Sequence, residues 1–489
     1  MIIVRAERLL ALGAAAAGLV AWLVYLEAGL VLSHYDAKAH LVVARRVIDN
    51  ITPGWQQLGA VWLPLPHLIH VLPTQVDALY RTGAFASLVS IACLGVTTFA
   101  ASRLVLLMTG SRLGATVAAV LLALNPNLLY LHTTPMTEPL FLATTSLAVL
   151  WLYEWVPANE PRVPWRLGWT LFAAMWTRYD AWPVVAAAIA ATVFASRRLG
   201  ASRTLALRRA VSLAAWPAAA VVVFIINSRV TVGQWFVTGG FFVHEPMYLR
   251  RPLQDLAAIG WGAWQLSTLT TVVIGGLAAV VLAVRGWLQR EHAALLVPVA
   301  LFAAAAVPFY GFFEGHPFRV RYMIPVAAAC ALYAGAAVGI VRQQAVYVLA
   351  GLLIGITLIQ SPPWRQDAPM LVEAQWDLPA SGARRAVTSC LADAYRGEKI
   401  LASMGSLAHY MQELSHEGFR LADFIHEGNG VIWDLALQTG PAPHAGWMLV
   451  EEQAEGGDLL ALRIRGDAAF TNGMNRVCEG GGVALYKRP

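Results

Sequence analysis

The sequence predicts a polytopic α-helical membrane protein with about eleven spans, followed by a small α/β domain outside the membrane. Of the 489 residues, 58% are hydrophobic and only 13% are charged, about half the charged fraction of roughly 25% in soluble domains. The charges cluster in short breaks between long apolar runs, as spans and loops alternate. Residues 362–489 return to an ordinary mixture. We therefore predict a membrane module over 1–361 and a soluble domain over 362–489.

The predicted spans follow from apolar runs of about 17–25 residues. The first run is too long for the apolar part of a cleavable signal peptide, and we interpret it as a retained signal anchor. Two short runs, 167–177 and 181–195, could together form one kinked hairpin. The predicted spans cover 9–32, 82–108, 113–131, 137–153, 167–177, 181–195, 210–227, 266–284, 293–310, 322–341 and 345–361.

Arginine placement predicts the orientation. Basic residues fall in alternate connections, as the positive-inside rule requires of the cytoplasmic side. We therefore expect a multi-pass protein of the cytoplasmic membrane with a cytoplasmic N-terminus, and with the C-terminal domain and the long loops 33–81 and 228–265 outside. The formal net charge of +6 reflects these arginines, and no basic stripe with interleaved aromatics indicates nucleic-acid binding. The positions are Arg5, Arg8, Arg112, Arg162, Arg166, Arg197, Arg198, Arg203, Arg208, Arg209, Arg285, Arg290 and Arg342.

Loop 33–81 is predicted to contain two helices at the membrane surface. The segment from Asp36 to Asp49 has its apolar residues on one helical face. The segment Trp62-Leu-Pro-Leu-Pro-His67 places prolines where a second helix would begin. These helices would position the residues at the start of the loop.

The C-terminal domain reads as alternating helices and strands, which predicts a small α/β layer fold. We expect helices at 383–396 and 407–415, and strands at 399–404, 447–450 and 483–486. Cys390 and Cys478 both fall in this domain, in a compartment expected to be oxidising. A disulfide between them would join the first helix to the last strand, and the alternative is two free thiols.

Polar side chains gather at the outer ends of the predicted spans. Because ionisable residues are costly near the membrane interior, they indicate a functional site. We expect these residues to converge on one cavity at the outer membrane surface. The candidates are Tyr35, Asp36, Lys38, His40, Glu138, Arg178, Asp180, His244, Glu245, His316, Arg319, Arg321 and Tyr322.

Asp36, Arg319 and Arg321 are the candidates with the clearest chemical roles. An aspartate at the membrane boundary can take a proton from an incoming hydroxyl, although an ion pair with Lys38 or Arg45 would explain it as well. Arg319 and Arg321 open a span and suit the oxygens of a phosphate. The alternative for them is contact with lipid headgroups.

Three other candidates have equally simple alternatives. Lys38 is the only lysine in residues 1–361, and it suits either phosphate binding or snorkelling to the interface. Glu138 begins a span, where a carboxylate also stabilises the helix N-terminus. Arg178 and Asp180 are expected to pair, with one of them facing the cavity.

Together, the N-terminal span, the acid opening a long outer loop, Trp62-Leu-Pro-Leu-Pro-His67 and the late Arg321-Tyr-Met-Ile-Pro325 resemble the type C (GT-C) membrane glycosyltransferases. The nearest groups are the protein O-mannosyltransferases and the lipid A aminoarabinose transferases. The resemblance implies inverting transfer of a hexosyl or pentosyl group from a polyprenyl-phosphate donor to a hydroxyl-bearing lipid, glycan or protein at the outer face.

Carried onto this sequence, the resemblance makes Asp36 the base and places Arg319 and Arg321 in the region that steadies the donor phosphate. We also expect Lys38 and Tyr322 to bind that phosphate. Many relatives have two adjacent acids in the first loop, whereas Ala37 follows Asp36 here. Glu138 is the first candidate for a second catalytic acid.

No cofactor or metal is expected, because neither clustered carboxylates nor His/Cys spacing predicts a metal cage. Two other functions remain open. A transporter or lipid flippase would place charges near the bilayer midplane, often in repeated halves, and no internal repeat is visible. A non-catalytic cell-envelope assembly protein would use the C-terminal domain to bind a partner.

Overall fold

A computed structural model describes residues 2–158, 160–237, 245–341, 344–454 and 457–489. Two positions named above, His244 and Arg342, lie outside the described residues. The chain is mostly helical, with one small sheet.

The helices found among the described residues up to 360 are mostly apolar. They are α1 (Ile2–Glu27), α2 (Tyr35–Arg45), α3 (Leu65–His70), α4 (Asp77–Thr82), α5 (Ala84–Thr109), α6 (Arg112–Ala123), α7 (Pro126–Leu131), α8 (Glu138–Trp155), α9 (Trp165–Met175), α10 (Ala181–Arg198), α11 (Arg203–Val232), α12 (Pro252–Gln265), α13 (Leu269–Leu288), α14 (Ala306–Phe313), α15 (Ile324–Ile340) and α16 (Ala345–Gln360). Short 3-10 segments at Arg290–Leu296 and Pro298–Ala305 precede α14.

The remaining elements build the C-terminal part. The helices are α17 (Pro369–Ala374), α18 (Leu378–Ala394), α19 (Leu407–Leu414), α20 (Val431–Thr439) and α21 (Leu459–Gly466). The strands are β1 (Ile400–Ala402), β2 (Phe424–Ile425), β3 (Trp447–Glu451), β4 (Asn475–Gly480) and β5 (Val483–Lys487).

Every predicted span overlaps a helical segment. Six segments among the described residues are long and apolar enough to cross a membrane, and two further apolar helices, α6 and α16, are shorter. The long segments are Ala6–Glu27, Ala84–Thr109, Arg203–Val232, Leu269–Leu288, Arg290–Phe313 and Val320–Ile340. The chain is therefore a multi-helix protein of the membrane type, and the span count of eleven stays a prediction.

Two predicted spans differ from the helices in detail. The first helix ends at Glu27 rather than near Leu32, and Gly29 follows with a left-handed φ of 71°. The run 113–131 is divided into α6 and α7. Asn125 breaks it, because its side chain caps α7 by accepting the N–H groups of Asn127 and Leu128.

The described residues divide into two compact units. Unit 1 comprises Met1–Ala28, Ser87–Ile225 and Glu245–Glu373, and unit 2 comprises Gly29–Ala86, Ile226–His244 and Ala374–Pro489. Loop 33–81 therefore belongs to the same unit as the C-terminal part. The boundary predicted at residue 361 followed composition, whereas these units follow packing.

Small residues allow close helix packing inside unit 1. A methyl group added to Gly335 of α15 would lie 2.6 Å from the carbonyl oxygen of Gly114 on α6. One added to Gly275 of α13 would lie 2.3 Å from the carbonyl oxygen of Cys330 on α15. Such contacts bring helix backbones together where apolar burial gives little drive for association, and they place α15 at the centre of the unit.

Unit 2 contains a five-stranded sheet of order β2-β1-β3-β5-β4. Strands β2, β1 and β3 are parallel, and β5 and β4 are antiparallel to their neighbours. The predicted strands at 399–404, 447–450 and 483–486 correspond to β1, β3 and β5. The sequence analysis missed β2, which has two residues, and β4, whose side chains are mostly exposed and therefore lack an apolar alternation.

The structure pairs Cys390 with Cys478 in a disulfide with an S–S distance of 2.08 Å. The expectation that this bond reaches the last strand is wrong. Cys478 lies on β4, the edge strand of the sheet, and β5 is the last strand in the chain. The error arose because β4 carries no recognisable strand pattern.

Candidate functional site

In unit 1, Arg178 lies between two buried carboxylates. One of its Nη atoms is 3.0 Å from a carboxylate oxygen of Glu138, and its Nε is 3.0 Å from Oδ2 of Asp180. It also donates a 3.0 Å hydrogen bond to the Thr137 hydroxyl. The Glu138 and Asp180 side chains are only 1% and 5% exposed. Both need this cation, because an uncompensated buried carboxylate is costly.

Arg319, Arg321 and Tyr322 lie at the start of the segment that leads into α15. The guanidinium of Arg321 lies 5.3 Å from the centre of the Tyr322 ring, and the arginine is 8% exposed. Arg321 is also close enough to Arg178 for mutual repulsion. The guanidinium of Arg321 suits the oxygens of an anionic ligand.

The imidazole of His316 orders Tyr322. Its Nδ1 lies 2.8 Å from the carbonyl oxygen of Pro317, which fixes the proton on Nδ1. Nε2 is then the acceptor of the Tyr322 hydroxyl, 3.4 Å away. The sequence placed these two residues in the candidate set without predicting this contact.

Glu373, at the end of α17, is a residue of this region that the sequence analysis missed. Its Oε2 accepts the main-chain N–H of Val320 at 2.5 Å. Burial raises the pKa of its carboxyl group, and the charges of Arg321 and Arg319 oppose that effect. No local motif marks this glutamate, since its partners are more than 50 residues earlier.

Glu245 makes hydrogen bonds that hold the local backbone. Its main-chain N–H donates to the carbonyl oxygen of Gly315 at 2.7 Å, and its Oε1 accepts the N–H of Met247 at 3.1 Å. These bonds fasten the turn before α12 to the turn after α14. The neighbouring candidate His244 is outside the described residues.

In unit 2, Asp36 sits in the first turn of α2. The His34 imidazole caps this helix, with Nδ1 accepting the main-chain N–H of Asp36 at 3.0 Å. The suggested ion pair with Arg45 does not explain Asp36, because Arg45 binds Asp49 at 2.9 Å and Asp77 at 2.8 Å. A carboxylate at a helix N-terminus is stabilised in its charged form.

Lys38 lies two positions after Asp36, and residues at that spacing point to different sides of a helix. Burial lowers the pKa of the Lys38 ammonium to about 8, and the charges around it are those of Asp377, Arg384, Glu413 and Glu451. The ammonium therefore faces acids of the C-terminal part.

His40 is buried with His67. His40 Nδ1 lies 3.0 Å from His67 Nε2, and the Trp62 ring lies 4.4 Å from the His40 ring. Burial and the neighbouring cations lower the pKa of His67 well below its ordinary value. This pair ties the two predicted surface helices of the first outer loop, α2 and α3, to each other. The described residues contain no group of three or more His, Cys, Asp or Glu that could hold a metal.

The comparisons with known proteins bear on the fold. No protein-family model matches the chain, and no curated protein matches it. Among solved structures, ArnT from Cupriavidus metallidurans bound to undecaprenyl phosphate matches with a TM-score of 0.56 at 13% identity, covering 97% of each chain. The apo state of that protein matches with a TM-score of 0.52 at 14% identity, again over 97% of each chain.

The fold is GT-C-like. The likeness extends over the membrane helices and the C-terminal part, because it covers nearly the whole of both chains. At this identity it carries the fold and not the residues. The roles of the candidate side chains therefore rest on their own geometry and chemistry.

Proposed function

We propose that this protein is an inverting membrane glycosyltransferase that moves a sugar from a polyprenyl-phosphate donor to a hydroxyl-bearing lipid, glycan or protein. The observation that carries the proposal is the GT-C-like fold, together with the match to an ArnT structure bound to undecaprenyl phosphate. The arginines that precede α15, buried Arg321 and half-buried Arg319, support it independently, since they suit a lipid phosphate.

In the proposed reaction, the carboxylate of Asp36 accepts the proton of the acceptor hydroxyl. The hydroxyl oxygen attacks the anomeric carbon from the face opposite the phosphate, and the bond between that carbon and the phosphate oxygen breaks. The electron pair leaves with the phosphate, and the configuration inverts. General-base assistance of this kind contributes about 10²–10⁴-fold to the rate.

Arg319 and Arg321, with Tyr322, are proposed to bind the donor phosphate. Negative charge builds on that phosphate as the glycosidic bond breaks, and preorganised cations stabilise it best where water is sparse. We assign Glu373 the role of orienting these arginines.

Glu138 is the proposed second acid. Because it is buried against Arg178, we propose that it acts by orienting that arginine. A carboxylate that is 1% exposed and 3.0 Å from a guanidinium is suited to orienting that arginine rather than to exchanging protons with substrate. We propose that Glu138 and Asp180 hold the Arg178 side chain in a fixed position.

The proposal places the protein in the cytoplasmic membrane, with the N-terminus cytoplasmic and Asp36 on the outer face. A lipid-linked donor enters such a site from the bilayer. The sugar and the acceptor would be selected by the loops of the outer face.

Native mass spectrometry of the mildly purified protein tests the proposal. Wild type should retain a polyprenyl monophosphate, with or without a sugar, and Arg321→Gln should lose it. Arg208→Gln, which removes an exposed arginine from the predicted cytoplasmic side, is the matched control and should retain the lipid. Recovery of ordinary phospholipids only, persisting after polyprenyl phosphate is added, would contradict the proposal and favour a transporter or an assembly protein.

A further inference from the structure

In unit 2, the first outer loop fills the edge of the sheet where α/β folds usually bind ligands. The carboxyl ends of parallel strands form that edge. The Tyr35 hydroxyl donates to the carbonyl oxygen of Gly405 in the turn after β1. The Gln57 side chain donates to the carbonyl oxygen of Gly428 after β2 at 2.7 Å. The chain's own loop therefore contacts this edge of the sheet.

A buried polar network secures the middle of the same loop, between Tyr35 and Gln57. The Asn50 amide lies 3.0 Å from Nε2 of His426, and its oxygen accepts the Asn429 amide at 2.7 Å. His426 and Asn429 follow β2 directly, and burial lowers the pKa of His426 to about 3, so this imidazole is neutral at physiological pH. The loop is thus fastened on both sides of α2 to the C-terminal part.

His409 on α19 is the charged contact of this surface. Its Nε2 lies 3.0 Å from Oδ2 of Asp377, and its Nδ1 lies 3.0 Å from Oε1 of Glu451. A carboxylate beside each ring nitrogen favours the imidazolium form. The Tyr35 ring packs edge-on against this imidazole with 4.8 Å between ring centres.

Other charged and titratable groups around His409 come from every neighbouring element. Burial alone lowers the pKa of His409, but its two carboxylate partners outweigh burial and the charge of Arg384, and they raise it. The imidazolium form of His409 is therefore favoured, and its charge is lost as the pH rises through the raised pKa. The surrounding groups are Asp377 before α18, Arg384 on α18, Glu413 on α19, Glu451 on β3, and Tyr35 and Lys38 on α2.

We propose that His409 is a positioning residue for Asp36: its ring holds Tyr35, the residue directly before Asp36, against the C-terminal part and so fixes the first turn of α2. This inference rests on the proposed function for the importance of Asp36. It gives the C-terminal part a role in aligning the base, distinct from acceptor binding.

The first test needs no substrate. Hydrogen exchange of the amides in the first turn of α2 should quicken at least tenfold in His409→Gln, which removes the charge but keeps polar atoms. It should be unchanged in His416→Gln, the matched control, because His416 is exposed just beyond α19. Unchanged exchange in His409→Gln would overturn the inference whatever the activity.

The second test separates positioning from general stability. A displacement of about 1 Å at a reacting group costs about 10²-fold in rate, so His409→Gln should lower kcat by about 10–100-fold and leave KM for the lipid donor within twofold. The fall in wild-type kcat at alkaline pH should be absent in this variant. Equal changes in kcat and KM with the pH profile retained would contradict positioning.

Failure of the proposed function gives a different pattern. If His409→Gln shows faster exchange in α2 but the wild-type protein transfers no sugar, the contact between His409 and Tyr35 is supported. The proposed glycosyltransferase function is then wrong. Should His409→Gln not fold, Tyr35→Leu removes the ring that packs against His409 and should quicken exchange in the same turn. Wild-type exchange in that variant would overturn the inference.

Discussion

Replacing Arg178 with methionine should destabilise unit 1 strongly. The substitution removes the cation that lies 3.0 Å from both Glu138 and Asp180 and leaves two buried carboxylates without it. Removing one partner of a buried ion pair costs about 3–5 kcal/mol. At about 2 °C per kcal/mol for a large domain, the unfolding midpoint should fall by about 6–10 °C.

Thermal unfolding in detergent, followed by tryptophan fluorescence, measures this loss. The double variant Arg178→Met/Glu138→Gln should recover about 1–3 kcal/mol, because one of the stranded charges is gone. Arg162→Met is the matched control, since Arg162 is exposed, and should shift the midpoint by less than about 1 °C. A loss below about 1 kcal/mol for Arg178→Met, or a double variant no more stable than the single one, would refute the reasoning.

Three further predictions concern packing, charge and the covalent link. Gly275→Ala should cost about 1–3 kcal/mol because its methyl group meets a main-chain carbonyl of α15, whereas Gly276→Ala has open space and should be tolerated in the same thermal assay. Lys38→Met should raise stability at pH 7 by about 3 kcal/mol, since burial lowers the pKa of this lysine from 10.5 to about 8 and one pKa unit corresponds to about 1.4 kcal/mol. The unfolded chain binds more protons between pH 8 and about 10.5, so wild-type stability rises across that window and the advantage of the variant should shrink; an advantage independent of pH would contradict this. The double variant Cys390→Ser/Cys478→Ser removes a disulfide between residues 88 apart. It should lower the free energy of unfolding by about 4–5 kcal/mol through loop entropy. An unchanged unfolding midpoint after reduction of the wild-type protein would contradict that value.

The sequence predicted the helical segments of unit 1 well because long apolar runs are a property of consecutive residues. Each predicted span overlaps a helix, and the breaks that were missed depend on single residues such as Asn125, whose side chain caps α7. In the C-terminal part, the buried strands β1, β3 and β5 were found for the same reason. The exposed edge strand β4 offered no pattern, which also misplaced the disulfide within the sheet.

The sequence named candidate residues for the site, but it predicted few of the contacts between them. Arg178 and Asp180 pair as expected because they are close in sequence. The contacts of Glu373 with the segment before α15, and of His409 with Tyr35, join residues 53 and more than 300 positions apart. No local pattern encodes such contacts. The same holds for Lys38, which lies near Asp36 in sequence but faces the acids of the C-terminal part.

The role of Asp36 as the base is tested by measuring transfer by Asp36→Asn with a synthetic polyprenyl-phosphate sugar and an acceptor extract. We expect the variant to fold, to retain the donor lipid in native mass spectra, and to lose transfer by about 10²–10⁴-fold. Asp434→Asn, an exposed acid on α20, should transfer at the wild-type rate. Wild-type transfer by Asp36→Asn would contradict the account.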